Sequence, residues 1–338
     1  MTPIVAGGTS GIAANPAQRL RGVLSPVVTP FTSDLRPDAA RLARHCRWLL
    51  GSDVGLAVFG TNSEGNSLTV AEKLALLDSL AEAGIPAARM MPGTGTCALP
   101  DTVELTRRAV AHGCGGVLML PPFYYKDVSD DGLFASYAEV IERVGDARLR
   151  IYLYHIPQVS RVPLGLPLID RLLGRYPGTV AGIKDSSGDW NNTRAMLERF
   201  QPRGFDVFSG SETFLLATLR AGGAGCISAT ANVNPAAIAR LNRDWRETDA
   251  DAQQAALDGV RAAFQKFPMI PALKAAIAHF SGDDAWPTVR PPLVALTTEQ
   301  RRQLSEMLDA LGFAMPGLDA GSADRTAAAT PTLGGNPG

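Results

Sequence analysis

The sequence is poor in the residues that build disulfide frameworks and metal centres. Its 338 residues include four cysteines and four histidines. None of the cysteines forms a CxxC pair, and none of the histidines shows the spacing of metal ligands. Scattered cysteines in a chain of this length predict neither a disulfide scaffold nor a structural zinc site. We therefore expect no bound metal.

An excess of one charge and long hydrophobic runs are also absent. The 32 basic and 33 acidic side chains leave a net charge of −1, which disfavours a nucleic-acid partner because phosphate binding needs a basic face. No apolar run reaches the roughly 18 residues that a membrane helix needs. The opening stretch 1–20 has neither the basic start nor the apolar centre of a secretory signal. We expect a soluble cytoplasmic protein without a nucleic-acid or membrane partner.

Lysine is scarce as well, because the 32 basic residues comprise 27 arginines and five lysines. The composition of the genome can produce such a bias. Arginine replaces lysine as a surface charge, but it cannot act as an amine nucleophile. Each lysine is therefore a candidate for chemistry. The five are Lys73, Lys126, Lys184, Lys266 and Lys274.

What the sequence does contain is one alternating pattern. Short runs rich in Val, Ile and Leu alternate with amphipathic stretches of about a dozen residues, which predicts parallel strands covered by helices. Eight such units fit an α/β fold, a (β/α)8 TIM barrel. A doubly wound open sheet is the alternative, but no GxGxxG motif follows the first strand. The predicted strands are 23–31, 55–60, 89–95, 116–122, 149–157, 179–185, 205–210 and 225–232.

The alternation stops near residue 246. Beyond it, 249–267, 269–280 and 298–313 have helical patterns, which predicts a C-terminal helical appendage on the barrel. Both ends of the chain are rich in small residues, Gly and Pro, and such segments do not bury enough apolar surface to fold. The prediction has four parts: a flexible N-terminal segment at 1–18, a catalytic barrel at 19–246, C-terminal helices at 247–315 and a disordered tail at 316–338.

Lys184 lies where a barrel of this type carries its chemistry, at the C-terminal end of a strand. It belongs to AGIKDSSGD, which ends the sixth predicted strand. An amine in the mouth of a barrel is desolvated, which favours the neutral form that attacks a ketone to give an imine. A solvated lysine, or an ion pair with Asp185, is the alternative at this position.

Two tyrosines on the preceding strand are candidates for proton transfer. Tyr154, in IYLYHIP, would lie next to Lys184 and can exchange protons with a substrate oxygen. Tyr152 points to the same side of the strand, so alternation does not choose between the two. A packed aromatic residue with a hydrogen-bonded hydroxyl is the other interpretation of each.

Two loops offer further candidates. GTNSEGNSLT (60–69) has small residues and hydroxyls ahead of a capped helix, which suits a carboxylate held by backbone N–H groups. An ordinary polar loop is the alternative. PPFYYKD (121–127) presents Tyr124 and Tyr125, and two adjacent exposed aromatic residues more often mark an interface than a catalytic group.

Together these motifs resemble the dihydrodipicolinate synthase / N-acetylneuraminate lyase family. The resemblance covers residues 22–312 and implies a (β/α)8 barrel with C-terminal helices that assembles as a homotetramer or dimer. It also implies that pyruvate, or another 2-oxo acid, binds as an imine on a lysine, without a metal or an organic cofactor. The motifs occur in the family's order: GTNSEG, PPFYYK, YLYHIP, GIKDSSGD and GSETFLL…AGGAGCISATANV.

The resemblance implies roles for individual residues. Lys184 corresponds to the lysine that forms the imine, Tyr154 to the tyrosine that transfers protons, and Thr61 to a relay hydroxyl. Tyr125 corresponds to the tyrosine that a neighbouring subunit adds to the relay. The positions that bind substrate are Gly60, Asn62, Ser63, Val159, Gly210 and Ile227.

Three of these positions depart from the family pattern. Asn62 stands where a second threonine usually helps to bind the pyruvate carboxylate, and Ser63 stands where glycine is common. Val159 stands where dihydrodipicolinate synthases have the arginine that binds the carboxylate of aspartate semialdehyde. An apolar side chain cannot replace that contact, and Arg161 would reach the site only if the turn were remodelled.

The resemblance therefore favours a lyase or aldolase that cleaves or forms a 2-oxo acid and releases or uses pyruvate. The expected substrates are a 2-keto-3-deoxy sugar acid, an N-acetylneuraminate-like compound or 4-hydroxy-2-oxoglutarate. The alternatives are a dihydrodipicolinate synthase, a 2-keto-3-deoxy acid dehydratase, a barrel that binds a 2-oxo acid without turnover, and a purely structural role.

Overall fold

The computed structural model describes residues 19–318. Seven strands form one sheet in the order β2-β1-β7-β6-β5-β4-β3, and all neighbouring pairs are parallel. Parallel pairs need crossover connections, which the intervening helices supply. The predicted parallel α/β fold is thus confirmed. The strands are β1 (Gly22–Ser25), β2 (Gly55–Leu56), β3 (Val117–Met119), β4 (Ile151–His155), β5 (Val180–Asp185), β6 (Asp206–Ser209) and β7 (Gly225–Ile227).

A short backbone segment connects the two edge strands of this sheet. Met91 N donates to Leu56 O at 2.8 Å on one side, and Thr94 N donates to Leu118 O at 3.0 Å on the other. The segment coincides with the predicted strand 89–95, which forms isolated parallel bridges to both neighbours instead of a continuous strand. The sheet therefore curls until both of its edges meet the same segment.

Helices follow most of the strands, and three further helices follow α9. The capped helix expected after residues 60–69 is α2, which begins with a capping box: Thr69 Oγ1 accepts from Glu72 N at 3.1 Å, and the Glu72 carboxylate accepts from Thr69 N at 2.9 Å. The helices are α1 (Ala39–Gly51), α2 (Val70–Glu82), α3 (Leu99–Ala111), α4 (Asp130–Val144), α5 (Pro157–Ser160), α6 (Leu166–Arg175), α7 (Trp190–Phe200), α8 (Leu215–Arg220), α9 (Pro235–Asp244), α10 (Ala250–Phe264), α11 (Met269–Ser281) and α12 (Thr298–Ala310).

The last three helices pack where β1 and β7 end. Phe264 of α10, Ile277 of α11 and Leu308 of α12 belong to one buried apolar cluster. The same cluster includes Val28, which follows β1, and Ala229, which follows β7. Burial of this apolar surface holds the C-terminal helices beside the carboxyl ends of the strands.

The predicted segment 1–18 lies outside the described residues, and so do positions 319–338 of the predicted tail. The tail's first residues are described, and Trp48 Nε1 donates to Pro316 O at 3.0 Å. Across the described range 19–318, no helix combines the length and the apolar character needed to cross a bilayer.

Candidate active site

The candidate site begins where β4 and β5 end side by side. Tyr154 and Lys184 are register partners in this pair, so their side chains point to the same face of the sheet. Lys184 Nζ lies 3.2 Å from the Tyr154 hydroxyl and 4.3 Å from the centroid of its ring. Both side chains are buried, and Lys184 is only 2 % exposed. The amine and the phenol are therefore in contact and shielded from bulk water.

Thr61 extends this pair into a chain of three polar groups. Its Oγ1 lies 3.2 Å from the Tyr154 hydroxyl, so the phenol stands between a hydroxyl and an amine. Thr61 starts the one-turn 3₁₀ helix Thr61–Ser63, which is closed by hydrogen bonds to Gly60 O from Ser63 N at 3.1 Å and Gly65 N at 3.0 Å. Such a chain of hydroxyls can pass a proton along it.

Lys184, Tyr154 and Thr61 line a cavity of about 580 Å³. Three of the predicted substrate-binding residues, Asn62, Val159 and Gly210, line it as well. Val159 is 59 % exposed. Gly210 has no room for a side chain, because a Cβ atom there would lie 2.0 Å from Ser186 Oγ.

The other predicted substrate-binding residues are buried beside the cavity. Gly60 and Ser63 belong to the loop that carries Thr61, and Ser63 O accepts from Thr29 Oγ1 at 2.7 Å. Ile227 lies at the end of β7, in the same apolar cluster as Tyr154. None of these three residues lines the cavity, and the backbone contact expected of Ile227 stays a prediction.

Tyr125 and Arg161 lie outside the cavity lining. Tyr125 is 74 % exposed and packs edge to face against Tyr124 at 5.3 Å between ring centroids. Its expected place in a neighbouring subunit's relay stays a prediction. Arg161 is exposed at the end of α5, with a left-handed φ of 57°. It does not take the place of the missing arginine at Val159.

Hydrogen bonds exclude the alternative ion pair of Lys184 with Asp185 and show which of the two tyrosines contacts the amine. The Asp185 carboxylate accepts from Thr193 Oγ1 at 2.6 Å and Asn192 Nδ2 at 3.1 Å. Within residues 19–318, Lys184 forms no ion pair with this or another carboxylate. Tyr152 lies elsewhere, because its hydroxyl donates to Asp206 Oδ2 at 3.4 Å, and burial raises the pKa of this phenol. The tyrosine that contacts the amine is thus Tyr154.

The C-terminal helices bring to the cavity three residues that were not among the predicted site residues. Arg261 of α10, Gln265 and Met269 line it. Arg261 Nη1 donates to Glu212 Oε2 at 3.3 Å, in the loop after β6. Nothing in the local sequence separates Arg261 from the many other arginines. Helical periodicity can show that one face of α10 is polar, but it cannot show what that face meets.

Comparison with known proteins extends the similarity beyond these motifs. The chain matches the family described as the Dihydrodipicolinate synthetase family over residues 19–311. An uncharacterized DapA-like lyase of Chloroflexus aurantiacus is 35 % identical over 284 residues, which span 83 % of this chain and 93 % of that protein.

Two crystal structures share the fold over nearly their whole length. The dihydrodipicolinate synthase from Agrobacterium tumefaciens superposes with a TM-score of 0.80 at 34 % identity, covering 86 % of this chain and 99 % of that one. YagE from E. coli K12, a prophage protein of the dihydrodipicolinic acid synthase family in complex with pyruvate, has a TM-score of 0.80 at 27 % identity. That match covers 87 % of this chain and 99 % of YagE.

Proposed function

Because the chain belongs to the dihydrodipicolinate synthetase family, we propose that it is a lyase of the class I aldolase type that binds a 2-oxo acid as an imine on Lys184. The observation that carries the proposal is the 3.2 Å contact between Lys184 Nζ and the Tyr154 hydroxyl, in a buried position at a cavity. The pyruvate bound to the related YagE supports pyruvate as the product or the second substrate.

Imine formation assigns the first proton transfer to Tyr154. The neutral Lys184 amine adds to C2 of the 2-oxo acid and gives a carbinolamine. Tyr154 donates its proton to the carbinolamine oxygen, which leaves as water, and the protonated imine and a phenolate remain. The contact between the amine and the phenol places both groups at the same substrate carbon.

Cleavage uses the same phenolate in the opposite sense. Tyr154 accepts the proton of the C4 hydroxyl, the C3–C4 bond breaks, and its electron pair moves to C3 and the imine to give an enamine. The C4 fragment leaves as an aldehyde or ketone. Protonation of the enamine at C3 and addition of water release pyruvate and restore the Lys184 amine. Thr61, 3.2 Å from the phenol, relays protons to and from Tyr154.

The relay is complete only in an assembly. Tyr125 is exposed and outside the cavity of its own chain. In the proposed homotetramer or dimer, Tyr125 of a second copy reaches Thr61 and joins the relay.

The loop after β2 is the proposed site of the carboxylate next to C2. Backbone N–H groups of Thr61 and Asn62 and the Asn62 side-chain amide supply the proposed donors beside the amine. Asn62 lines the cavity, which supports this role. Gly210 allows the close approach of backbone that shapes the opposite wall.

Val159 favours cleavage of a 2-oxo acid over condensation of pyruvate with aspartate semialdehyde. The side chain lines the cavity and carries no charge, so it cannot bind a second carboxylate. We propose a 2-keto-3-deoxy sugar acid, an N-acetylneuraminate-like compound or 4-hydroxy-2-oxoglutarate as the substrate. A dehydratase acting on the same imine would be recognised by its product.

The same proposal includes the complete architecture. The bridged segment 89–95 takes the place of the eighth strand and closes the curled sheet into a (β/α)8 barrel at 19–246. Residues 247–315 form the C-terminal helices. Hydrogen bonds from that segment to both edge strands support this closure. The cytoplasmic location stays a prediction.

Reduction by borohydride in the presence of pyruvate tests the proposal. We expect a covalent adduct on the peptide that contains Lys184, located by mass spectrometry, with Lys274 unmodified as the internal control. Unmodified protein, or an adduct on another lysine, would contradict the assignment. Turnover of the proposed 2-oxo acids should exceed turnover of pyruvate plus aspartate semialdehyde, and the opposite order would overturn the interpretation of Val159.

A further inference from the structure

The cavity around Lys184 holds one more cation, Arg261. Among the residues of 19–318 that line the cavity, only Lys184, Asp185 and Arg261 are charged. The Asp185 carboxylate is engaged by Thr193, Asn192 and the backbone. Imine formation commits Lys184 to C2 of the substrate, so Arg261 is the cation available to the rest of the substrate.

The buried Glu212 carboxylate holds the guanidinium of Arg261 in place. Its Nη1 donates to Glu212 Oε2 at 3.3 Å and lies 3.4 Å from Ser228 Oγ. Glu212 is buried and accepts hydrogen bonds from the hydroxyls of Ser228 and Thr230, so it cannot swing away. The other terminal nitrogen, Nη2, donates no hydrogen bond to a described residue, and the side chain keeps 14 % exposure. The guanidinium is therefore held in place with one terminal nitrogen available to a ligand.

Arg261 and Lys184 act on the same small space. Both side chains line the one cavity of about 580 Å³ that also holds Tyr154 and Thr61. A substrate that fills this cavity therefore contacts Lys184 at one end and Arg261 at the other.

We propose that Arg261 binds a carboxylate at the end of the substrate remote from the imine, which makes 2-oxo dicarboxylic acids the substrate class. This inference rests on the proposed imine chemistry at Lys184. The loop of residues 60–63 binds the carboxylate next to C2, and Arg261 Nη2 donates a charge-assisted hydrogen bond to the other. One available nitrogen suits a carboxylate oxygen better than a phosphate dianion, which takes several donors. Recognition of the far end thus comes from α10 and not from the turn of Val159.

Two substrates of matched skeleton isolate this contact. 4-Hydroxy-2-oxoglutarate carries a carboxylate at C4, where 4-hydroxy-2-oxopentanoate carries a methyl group. For the wild-type enzyme we expect kcat/KM to be at least about 10-fold higher for the dicarboxylate, because a hydrogen bond to a charged group contributes a factor of about 10 to 100. Arg261→Gln should remove most of this preference. Arg261→Lys keeps a cation beside Glu212 and should retain part of it.

Arg220→Gln is the matched control for loss of a cation near α10. Arg220 pairs with Asp251 in the first turn of α10 at 2.8 Å and does not line the cavity. The substrate preference should therefore be the same as in the wild type. A change in preference as large as that of Arg261→Gln would attribute the effect to the packing of α10 and overturn the proposal.

Other outcomes separate this inference from the proposed function. Equal losses on both substrates in the Arg261 variants would show that Arg261 serves only the fold, and the inference would fail. It would also fail if the Arg261-dependent preference were for 2-keto-3-deoxy-6-phosphogluconate over its unphosphorylated form and absent from the dicarboxylate pair. Pyruvate has no distal group, so wild-type protein that borohydride does not trap with pyruvate refutes the imine itself. Trapping without a dicarboxylate preference refutes only the role of Arg261.

Discussion

Lys184 and Lys274 are both buried, with 2 % and 0 % exposure, but their surroundings are opposite. Lys274 Nζ donates to the Glu64 carboxylate and to Thr288 O. Burial lowers the pKa of Lys274 to about 8 while Glu64 opposes the shift, so the amine is an ammonium at pH 7. Lys184 contacts a phenol, borders a cavity and forms no ion pair in the described part of the chain. Access to the cavity and the lack of an acidic partner, and not burial alone, support Lys184 as the proposed nucleophile.

The contacts of Lys274 nevertheless support the site around Lys184. Glu64 follows the 3₁₀ helix that carries Thr61 and has a left-handed φ of 54°. Its carboxylate accepts from Arg290 N at 2.9 Å as well as from Lys274, and the Arg290 guanidinium pairs with Glu72 of α2. These four residues, Lys274, Glu64, Arg290 and Glu72, form what we call the Lys274 cluster. It ties the loop that carries Thr61 to α2 and α11.

The largest effect should come from Lys184→Arg. A guanidinium stays protonated and cannot form an imine, so kcat should fall by at least about 10⁴-fold, or about 5 kcal/mol of transition-state stabilisation. The release of pyruvate from the preferred 2-oxo acid measures this loss. Lys266→Arg makes the same change at an exposed position and should have wild-type turnover. If kcat of Lys184→Arg lay within 10-fold of the wild-type value, Lys184 would not be the nucleophile and would not differ in role from Lys274.

Lys274→Met should act on stability. The substitution leaves the Glu64 carboxylate buried without its cation, and breaking a buried pair in this way costs about 3–5 kcal/mol of the free energy of unfolding. Urea unfolding measures the loss. Adding Glu64→Gln removes the lone charge and should restore part of the stability. Lys184→Met is the matched comparison and should cost much less, because it strands no carboxylate. Equal losses in the two single variants would show that both lysines serve the fold alike.

The surroundings of Lys184 could be predicted from the sequence better than those of Lys274. Local patterns encode strand ends and caps, so Lys184, Tyr154 and the Thr69 capping box could be predicted from short windows. The ion pair of Lys274 with Glu64 joins residues 210 positions apart, and only tertiary packing creates it. Arg261 escaped notice for the same reason.

The predicted strand 89–95 shows a different limit. The segment lies outside the seven strands of the sheet, but it forms an isolated parallel bridge to each of its two neighbours. Pro92 within the run has no N–H to donate to a ladder, which shortens regular pairing at this position. Hydrophobic pattern thus identifies a buried extended segment, whereas backbone donors decide whether it pairs as a continuous strand.

A smaller effect is expected in the pH dependence of stability, which should involve Glu72 of the Lys274 cluster and not Lys184. Hydrogen bonds from Arg290 lower the pKa of Glu72 from 4.5 to about 2. A carboxyl group with a lower pKa in the folded chain stabilises the fold above about pH 4.5, and this contribution is lost as the pH falls towards 2. Since the Glu72 side chain is 27 % exposed, solvent screening should limit the contribution to about 1–2 kcal/mol. Glu72→Gln should lower the free energy of unfolding by this amount at pH 7, while the borohydride adduct on Lys184 still forms.

Urea titrations of wild type and Glu72→Gln at pH 7, 4 and 3 check the expected direction. The gap between the two proteins should narrow as the pH falls, because protonation removes the Glu72 charge that the variant already lacks. Other acidic groups titrate in both proteins and cancel in the difference. A gap that stays constant with pH would mean that Glu72 contributes through packing and not through its charge. In that case the ion pair between Arg290 and Glu72 would not hold the loop that carries Thr61 to α2. The contrast between Lys274 and Lys184 would then rest on Glu64 alone.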